Sequence, residues 1–359
     1  MFAFWGDFSY NEFGSGGSTH IDLHWSTTPL DPYGFKFEIR STKFEMLAIL
    51  EKILPGVQKN VSLAQYTTFH IGGKAKYFFV AKTKDDIMHA IRVAKERKIP
   101  FFVLGEGSNV LARDKGFNGL VIKIHNTKYS IQDTSLYADA GVSMTTLVEE
   151  TMRGGLAGLE WAGGLPGSVG GAVRGNAGAF GGETKDSIQS VECLDEKGAV
   201  RKLSKKECRF GYRSSLFKEK NWIVLSAVFA LKKGSPQNLQ SIAKGHITYR
   251  KERHPLEFPN AGSIFKNCDF KKIPSSLKDF VKDVVKVDPF PVVPTAFLLN
   301  KANLKGLKVH DAQVSEKHPN YIVNRGHATA KDVLLLIKKI KRIIKKKFSV
   351  ELEEEIESF

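Results

Sequence analysis

The spacing of apolar and polar residues changes along the chain, and each change predicts a new element. Residues 75–81 are rich in aromatic side chains and predict a strand. Thr83 and Asp86 have the spacing of a capping box and precede an apolar stripe at helical spacing, so a helix follows. That helix ends at Ile99-Pro100, and residues 101–104 predict a buried strand. The order predicts a β-α-β unit.

The rest of the chain continues this mixture, which predicts an α+β fold. Predicted strands cover residues 119–124, 136–140, 188–194, 199–203, 224–231 and 348–356. Predicted helices cover residues 145–154, 239–250 and 331–347, and Thr329 with Asp332 caps the last of them. Gly234-Ser-Pro-Gln237 is the best candidate for a domain boundary, and Pro259-Asn-Ala-Gly-Ser263 beyond it is expected to be a loop.

A glycine-rich stretch runs from Trp161 to Glu183, with nine glycines among twenty-three residues. It is not a typical linker, because its glycines alternate with apolar residues such as Leu165, Val169 and Phe180 rather than with serine and charge. Glycine between apolar residues indicates a loop whose backbone packs against something flat or anionic, and successive amides in such a loop can bind phosphate oxygens. A buried glycine corner between strands remains an alternative.

Two further glycine motifs strengthen the phosphate-binding interpretation. Gly105-Glu-Gly-Ser-Asn109 follows the predicted strand 101–104 directly, although it lacks the GxGxxG pattern of the dinucleotide fingerprint. The other motif is Thr67-Thr-Phe-His-Ile-Gly-Gly73. Together the three motifs predict a site for a phosphate-bearing ligand.

Composition narrows the class of protein. The 359 residues are 42% hydrophobic and 26% charged, as in ordinary globular proteins. No apolar run approaches the ~18 residues of a membrane span, and the N-terminus lacks the pattern of a secretory signal. Cys193, Cys208 and Cys268 have neither disulfide-framework nor metal-ligand spacing, so no metal site is expected and a reducing cytoplasm fits.

The net charge is +16, and two explanations are possible. Lys and Arg are spread along the chain without a nucleic-acid reader motif, and the dense run 338–347 has the spacing of an amphipathic helix with a solvated basic face. We therefore expect no nucleic acid as partner. A basic protein also suits small polyanions.

Several motifs occur here in the order typical of one family. TTFHIGG, LGEGSNVL and LPGSVGGAVRGNAGAFGGE are followed by FGYRSSLF, PNAGSIFKN, the segment from NLKG to YIVN, and LEEEI. Over residues 54–356 the chain resembles the UDP-N-acetylenolpyruvoylglucosamine reductases (MurB). The resemblance implies a vanillyl-alcohol-oxidase (PCMH) type FAD-binding domain of two α+β subdomains, followed by an α+β substrate-binding domain. It implies non-covalent FAD, so no bond to His70 is expected.

The resemblance also implies domain boundaries. The FAD-binding domain is expected at residues 46–235, with subdomains at about 57–125 and 126–235, and the substrate-binding domain at 236–359. Residues 1–45 match nothing in the family, so they are expected to be a poorly ordered extension, or Met46 is the natural start.

The family's catalytic residues fall on three positions of this chain. Ser263 matches its proton-donating serine, Arg213 its arginine, and Glu355 its glutamate, with Glu353 as the nearest competitor in the acid-rich run. Judged from the residues alone, the serine would satisfy a turn, and an arginine or a glutamate would by default lie at the surface. The aromatic neighbours of Arg213 favour a position against a site instead, and the alternation of Val350, Leu352 and Ile356 with acidic residues predicts that Glu355 points away from the apolar side. The arginine's planar fork suits a carboxylate.

The family's binding residues are also carried over by motif. The expected cofactor-binding residues are Thr68, Ile71, Gly72, Gly73, Gly105, Gly107, Ser108, Asn109, Pro166, Gly167, Ser168, Gly170, Gly171, Ala172, Asn176 and Gly178. The expected substrate-binding residues are Tyr212, Arg250, Lys266 and Asn267. Only 50 residues separate Arg213 from Ser263, which resembles the class without an extra tyrosine-bearing loop over the substrate. Asn300 and His310 depart from the family's usual residues.

The expected reaction is reduction of UDP-N-acetylglucosamine enolpyruvate to UDP-N-acetylmuramate, with NADPH reducing the flavin, in a cytoplasmic monomer. Another FAD-dependent small-molecule oxidoreductase on the same fold is the alternative within enzymes. A flavin-free nucleotide-binding or nucleic-acid-binding module is the alternative from another class.

Overall fold

The computed structural model describes residues 43–287 and 290–359. Residues 1–42, which include most of the predicted extension, lie outside the described part, and the helix Lys43–Ile53 begins upstream of Met46. Residues 50–359 form one compact unit. None of the described helices is long and apolar enough to cross a membrane.

The first region is a four-stranded sheet, in the order β1-β2-β5-β3, with β1 antiparallel and the other pairs parallel. Thr83 and Asp86 form the predicted capping box of α2, which connects β2 to β3. The elements are α1 (Lys43–Ile53), β1 (Gln58–Ser62), β2 (Lys74–Ala81), α2 (Lys84–Glu96), β3 (Phe101–Leu104), β4 (Val110–Leu111) and β5 (Phe117–Ile124).

The second region is built on an antiparallel five-stranded sheet in the order β12-β11-β13-β7-β6. Its strands are β6 (Tyr129–Gln132), β7 (Ser135–Asp139), β8 (Leu156–Ala157), β9 (Gly178–Ala179), β10 (Gly182–Glu183), β11 (Ile188–Leu194), β12 (Val200–Ser204), β13 (Ile223–Ala230) and β14 (Lys232–Lys233). Its helices are α3 (Met144–Arg153), α4 (Val169–Gly175), α5 (Thr184–Ser187) and α6 (Leu216–Glu219).

The third region pairs the sheet β15-β20-β19-β18 with the long helix α10. Its helices are α7 (Pro236–Arg253), α8 (Ser275–Val281), α9 (Thr295–Lys301) and α10 (Ala330–Phe348). Its strands are β15 (Asn260–Ser263), β16 (Cys268–Asp269), β17 (Val292–Val293), β18 (Lys308–Val309), β19 (Ala312–Val314), β20 (Tyr321–Asn324) and β21 (Glu357–Ser358). Thr329 and Asp332 cap α10 as predicted.

Three local predictions are wrong. The predicted strand 348–356 is absent, because α10 continues to Phe348 and ends at Ser349 in the left-handed conformation. The PNAGS segment, expected as a loop, forms the strand β15. The middle of the glycine-rich stretch is the helix α4 rather than a loop, and the Ser168 side chain caps its N-terminus. Gly170 within this helix packs closely against Ala140.

Candidate active site

The three predicted catalytic residues come together. Arg213 Nε donates a hydrogen bond to Glu355 Oε1 at 2.8 Å, across 142 positions of sequence. The Glu355 amide donates to the carbonyl of Ile264, the neighbour of Ser263, at 2.8 Å. The C-terminal segment therefore runs beside β15 and brings Glu355 next to Ser263.

Arg213 lies in a constrained turn between β12 and α6. Gly211 and Ser214 form a β-bridge across the turn, and Arg213 between them has a φ of +53°, which is unusual for a residue with a side chain. The Arg213 Nη2 donates to the carbonyl of Gly178 at 2.8 Å, and Lys218 Nζ donates to the carbonyl of Arg213 at 3.4 Å. These contacts fix the direction of the guanidinium.

The structure distinguishes Glu355 from its competitor Glu353. The Glu355 side chain is 18% exposed and pairs with Arg213, whereas the Glu353 side chain is 68% exposed and pairs with Lys266. Burial raises the pKa of Glu355, and the charge of Arg213 and its hydrogen bond oppose that rise. A buried carboxyl with a raised pKa beside a fixed cation is typical of a functional site.

Residues 349–359 follow α10 and form a C-terminal strap, an extended segment that contacts all three regions of the chain. Val350, Leu352 and Ile356 are buried in the core of the third region, so the predicted alternation of apolar and acidic residues holds without a strand ladder. Beyond Glu355, Glu357 accepts two hydrogen bonds from Arg174 of α4, at 2.7 and 3.1 Å. β21, which contains Glu357, also pairs with β4 of the first region, so both contacts anchor the end of the strap beyond Glu355.

The three glycine motifs meet at one place. The Thr68 amide donates to the carbonyl of Gly107 at 3.1 Å, and the Gly167 amide donates to Glu106 Oε2 at 2.9 Å. Gly107 has a φ of +71°, and a Cβ there would lie 2.1 Å from the carbonyl oxygen of Tyr66. Only glycine fits this close approach.

A pocket of about 210 Å³ opens beside these motifs. Its walls include Glu106 and Lys123 from the first region and Ser143 from the second, and Ser143 forms a β-bridge with Ser168 of the glycine-rich stretch. Burial lowers the pKa of Lys123, whose Nζ donates to the carbonyl of Gly105. The tight glycine turns and the nearby Lys123 fit the phosphates of a dinucleotide.

Several predicted cofactor-binding side chains are engaged within the protein. Asn176 is fully buried; its side-chain Nδ2 donates to the carbonyl of Gly211 at 2.9 Å, so it supports the turn that carries Arg213. Ser168 caps α4, and Asn109 Nδ2 donates to the carbonyl of Glu355 at 3.2 Å. Ile71 lies in the apolar core of the third region. The side chains of these residues therefore support the backbone around the site through contacts within the protein.

The predicted substrate-binding residues lie around the same site. Tyr212 Oη accepts a hydrogen bond from the Asn267 amide at 3.1 Å, and its ring lies against the guanidinium of Arg213. Arg250 is 7% exposed and donates through Nε to the carbonyl of Gly163 at 3.0 Å. Its Nη2 is buried without a hydrogen-bond partner in the described part of the chain. An unpaired buried guanidinium nitrogen fits an anionic ligand.

Three residues near the site were not predicted. Tyr321 pairs directly with Ser263 across β15 and β20, and His254 lies beside Tyr321. Lys218 lies near Arg213, and burial lowers its pKa, as do the charges of Lys266 and Arg174. The YIVN motif contained Tyr321, but only its pairing with Ser263 distinguishes it from a core aromatic residue.

Comparisons with known proteins agree with this arrangement. The profile of the FAD binding domain matches residues 75–204, and that of the UDP-N-acetylenolpyruvoylglucosamine reductase C-terminal domain matches residues 254–359. Both predicted domain types, and FAD as the cofactor, are thereby confirmed.

Individual relatives extend over most of the chain. A UDP-N-acetylenolpyruvoylglucosamine reductase of Clostridium novyi is 37% identical over 310 residues, which cover 86% of this chain and 94% of the relative. The one of Caldanaerobacter subterraneus is 38% identical, covering 83% and 91%. The crystal structure of the enzyme from Thermus caldophilus is 31% identical with a TM-score of 0.67, covering 84% and 98%. The chain therefore belongs to the UDP-N-acetylenolpyruvoylglucosamine reductase (MurB) family.

Proposed function

We propose that the protein reduces the enolpyruvyl group of UDP-N-acetylglucosamine enolpyruvate to give UDP-N-acetylmuramate for peptidoglycan precursors, with NADPH as the source of electrons. The observation that carries this proposal is the meeting of Arg213, Glu355 and Ser263 beside the glycine motifs. The family's name supports the substrate class. Another FAD-dependent oxidoreductase would not require this particular trio.

Bound FAD supplies hydride, and the residues of this chain supply orientation and a proton. The Ser263 hydroxyl gives its proton to the carbon beside the one that receives hydride. Arg213 holds the substrate carboxylate and stabilises the charge that develops on it, because its fork is already oriented by Glu355 and Gly178. The proton and the fixed positive charge act together at one end of the substrate.

The phosphates of the substrate need positive charge that is not already paired. Arg250 supplies it through the buried Nη2. Lys266, which pairs with Glu353 in this structure, and Asn267 follow Ser263 in the sequence and are the other proposed substrate contacts. The surplus of +16 favours the approach of anionic substrates. The remaining predicted cofactor-binding residues belong to the three glycine motifs and are proposed to contact FAD through their backbone atoms.

The same proposal includes the organisation of the chain. The FAD-binding domain is proposed at 46–235, with subdomains at 57–125 and 126–235, and the substrate-binding domain at 236–359. We further propose that the protein acts as a cytoplasmic monomer, in connection with cell-wall synthesis, cell division and cell shape.

Product analysis tests the proposed reaction. The purified protein, NADPH and the enolpyruvyl substrate are incubated in deuterium oxide, and the product is identified by mass spectrometry and NMR. We expect UDP-N-acetylmuramate with one solvent-derived deuterium at the carbon that Ser263 protonates. The control substrate is UDP-N-acetylglucosamine, which lacks the enolpyruvyl group. Consumption of NADPH without this product would favour the alternative FAD-dependent oxidoreductase.

A further inference from the structure

Ser263 has a direct neighbour on the adjacent strand that the reaction as proposed does not use. Ser263 and Tyr321 are partners in the antiparallel pairing of β15 with β20, so their side chains project from the same face of the sheet. The two side chains therefore lie side by side, and Tyr321 is 7% exposed. A serine that gives up a proton therefore has a second hydroxyl beside it, within the protein.

Tyr321 is in turn held by His254. Tyr321 Oη and His254 Nδ1 lie 3.2 Å apart and share a hydrogen bond whose donor depends on the tautomer of the imidazole. The His318 ring packs against both, with centroids 4.9 Å from Tyr321 and 5.3 Å from His254. His254 is only half-buried, and the exposed ring of Tyr249 lies edge-on to it at 6.2 Å. The line of groups thus leads from Ser263 towards the surface.

The charge states of these groups suit proton transfer. Burial raises the pKa of Tyr321 to about 12, so the phenol keeps its proton at neutral pH. Burial, with the charges of His318 and Arg250, lowers the pKa of His254 to about 4. A neutral imidazole has one nitrogen that donates and one that accepts, so it can release a proton from one side while it receives one at the other.

We propose that Tyr321 and His254 form a proton relay that returns a proton to Ser263 during the reduction. This inference rests on the proposed function, since it deepens the role of Ser263. Ser263 is the catalytic residue, and Tyr321 and His254 act through it. Their side chains provide a path that a serine in contact only with substrate would lack.

The relay transfers protons and no electrons. The Ser263 O–H bond breaks as a C–H bond forms on the substrate, and the Tyr321 O–H proton passes to the Ser263 oxygen. The His254 Nδ1–H proton passes to the Tyr321 oxygen, while His254 Nε2 takes from solvent the one proton that the reduction consumes. His254 then returns from the Nε2–H to the Nδ1–H tautomer by exchange with solvent before the next turnover. One proton enters at His254 and one leaves at the substrate carbon, so each side chain remains neutral.

Tyr321→Phe tests the relay, because it removes one oxygen and keeps the ring. Stopped-flow absorbance in the absence of oxygen separates reduction of the flavin by NADPH from its reoxidation by the enolpyruvyl substrate. We expect reduction to be unchanged and reoxidation to slow by about 10- to 100-fold, towards the lower range of what positioned proton transfer contributes. His254→Gln should slow the same step. Tyr77→Phe, at another buried tyrosine, is the matched control and should leave both steps unchanged.

The solvent isotope effect distinguishes a relay from a structural role. In wild-type protein several protons move together, so reoxidation in mixtures of water and deuterium oxide should depend on deuterium content in a curved manner. Tyr321→Phe should make that dependence linear. Equal reoxidation rates for wild type and Tyr321→Phe would overturn the relay, as would a slow variant with the curvature unchanged. If the substrate fails to reoxidise even the wild-type flavin, the proposed function fails first.

A second measurement needs no turnover. In protein with ¹⁵N-labelled histidine, the His254 signals are assigned by their loss in His254→Gln. We expect a neutral imidazole protonated at Nδ1, whose ¹⁵N shift changes in Tyr321→Phe and is unaffected in Tyr77→Phe. A His254 signal that is the same in wild type and Tyr321→Phe would show that the two groups share no hydrogen bond, and would overturn the relay.

Discussion

The Arg213 guanidinium and the Glu355 carboxylate form an ion pair at 2.8 Å that joins the turn before α6 to the C-terminal strap. Neither side chain is more than about a fifth exposed, and each has further supports, namely the Gly178 carbonyl for Arg213 and the hydrogen bond from Asn109 to the Glu355 backbone. The pair therefore connects the candidate catalytic residues to the flavin motifs. It also makes the C-terminus part of the site.

Exchange of Arg213 tests the need for a planar fork. Arg213→Lys keeps a positive charge but cannot contact Glu355 and Gly178 while also holding a substrate carboxylate. We expect kcat for reduction of the enolpyruvyl substrate to fall by about 100- to 1000-fold, as when one stabilising donor is lost. Reduction of the flavin by NADPH should be little changed. Equal loss in both half-reactions, measured by stopped flow, would contradict a role at the substrate.

Arg250 offers a prediction about binding rather than chemistry. Its buried, unpaired Nη2 is expected to contact substrate phosphate, so Arg250→Met should raise KM for the UDP substrate with a smaller effect on kcat. The loss should be about 2–5 kcal/mol of binding, the usual cost of removing one partner from a buried charge pair. Lys244→Met, at an exposed position of the same helix, is the matched control. Steady-state kinetics of the two variants give the comparison.

Two glycines that differ in their surroundings test the flavin site. Gly107→Ala places a methyl group against the Tyr66 carbonyl at positive φ, so we expect a loss of about 1–3 kcal/mol of stability and a lower FAD content. Gly245→Ala lies within α7 with open space around its Cβ, and should stabilise by about 0.5–1 kcal/mol. Thermal unfolding and the flavin absorbance of purified protein measure both. Normal FAD content in Gly107→Ala would contradict the placement of the motif.

Two half-buried histidines, His254 and His318, predict how stability depends on pH. His254 and His318 both have their pKa lowered from 6.5 to about 4, chiefly by burial, with Arg250 acting on His254 and Lys286 and Lys305 on His318. Between these values the unfolded chain binds more protons than the folded one, so stability is lost as pH falls from about 6.5 towards 4. His254→Gln should make that loss shallower in urea unfolding curves. His327→Gln, at an exposed histidine, controls for removal of the residue type.

Local sequence signals predicted local structure well. Thr83 with Asp86 and Thr329 with Asp332 form the expected capping boxes, because such caps depend on residues three positions apart. The prediction of a strand at residues 348–356 was wrong, because it used only the local alternation of apolar and acidic residues. Alternating burial of Val350, Leu352 and Ile356 is real, but it reflects packing of an irregular strap rather than pairing in a ladder.

The sequence motifs predicted the candidate catalytic residues but not the residues that contact them. The motifs named Arg213, Ser263 and Glu355, and the fold brings them together. The pairing of Ser263 with Tyr321, and of Tyr321 with His254, depends on strand register and on where α7 ends. No short stretch of sequence carries that information, since these contacts join segments 58 and 67 positions apart.

The visible spectrum of the purified protein without oxygen tests the proposed reaction most directly. We expect a flavin band that bleaches when NADPH is added and returns when the enolpyruvyl substrate is added, while UDP-N-acetylglucosamine leaves it bleached. A band that bleaches but returns only with oxygen would contradict the proposed substrate. Absence of a flavin band, even after reconstitution with FAD, would contradict the site itself.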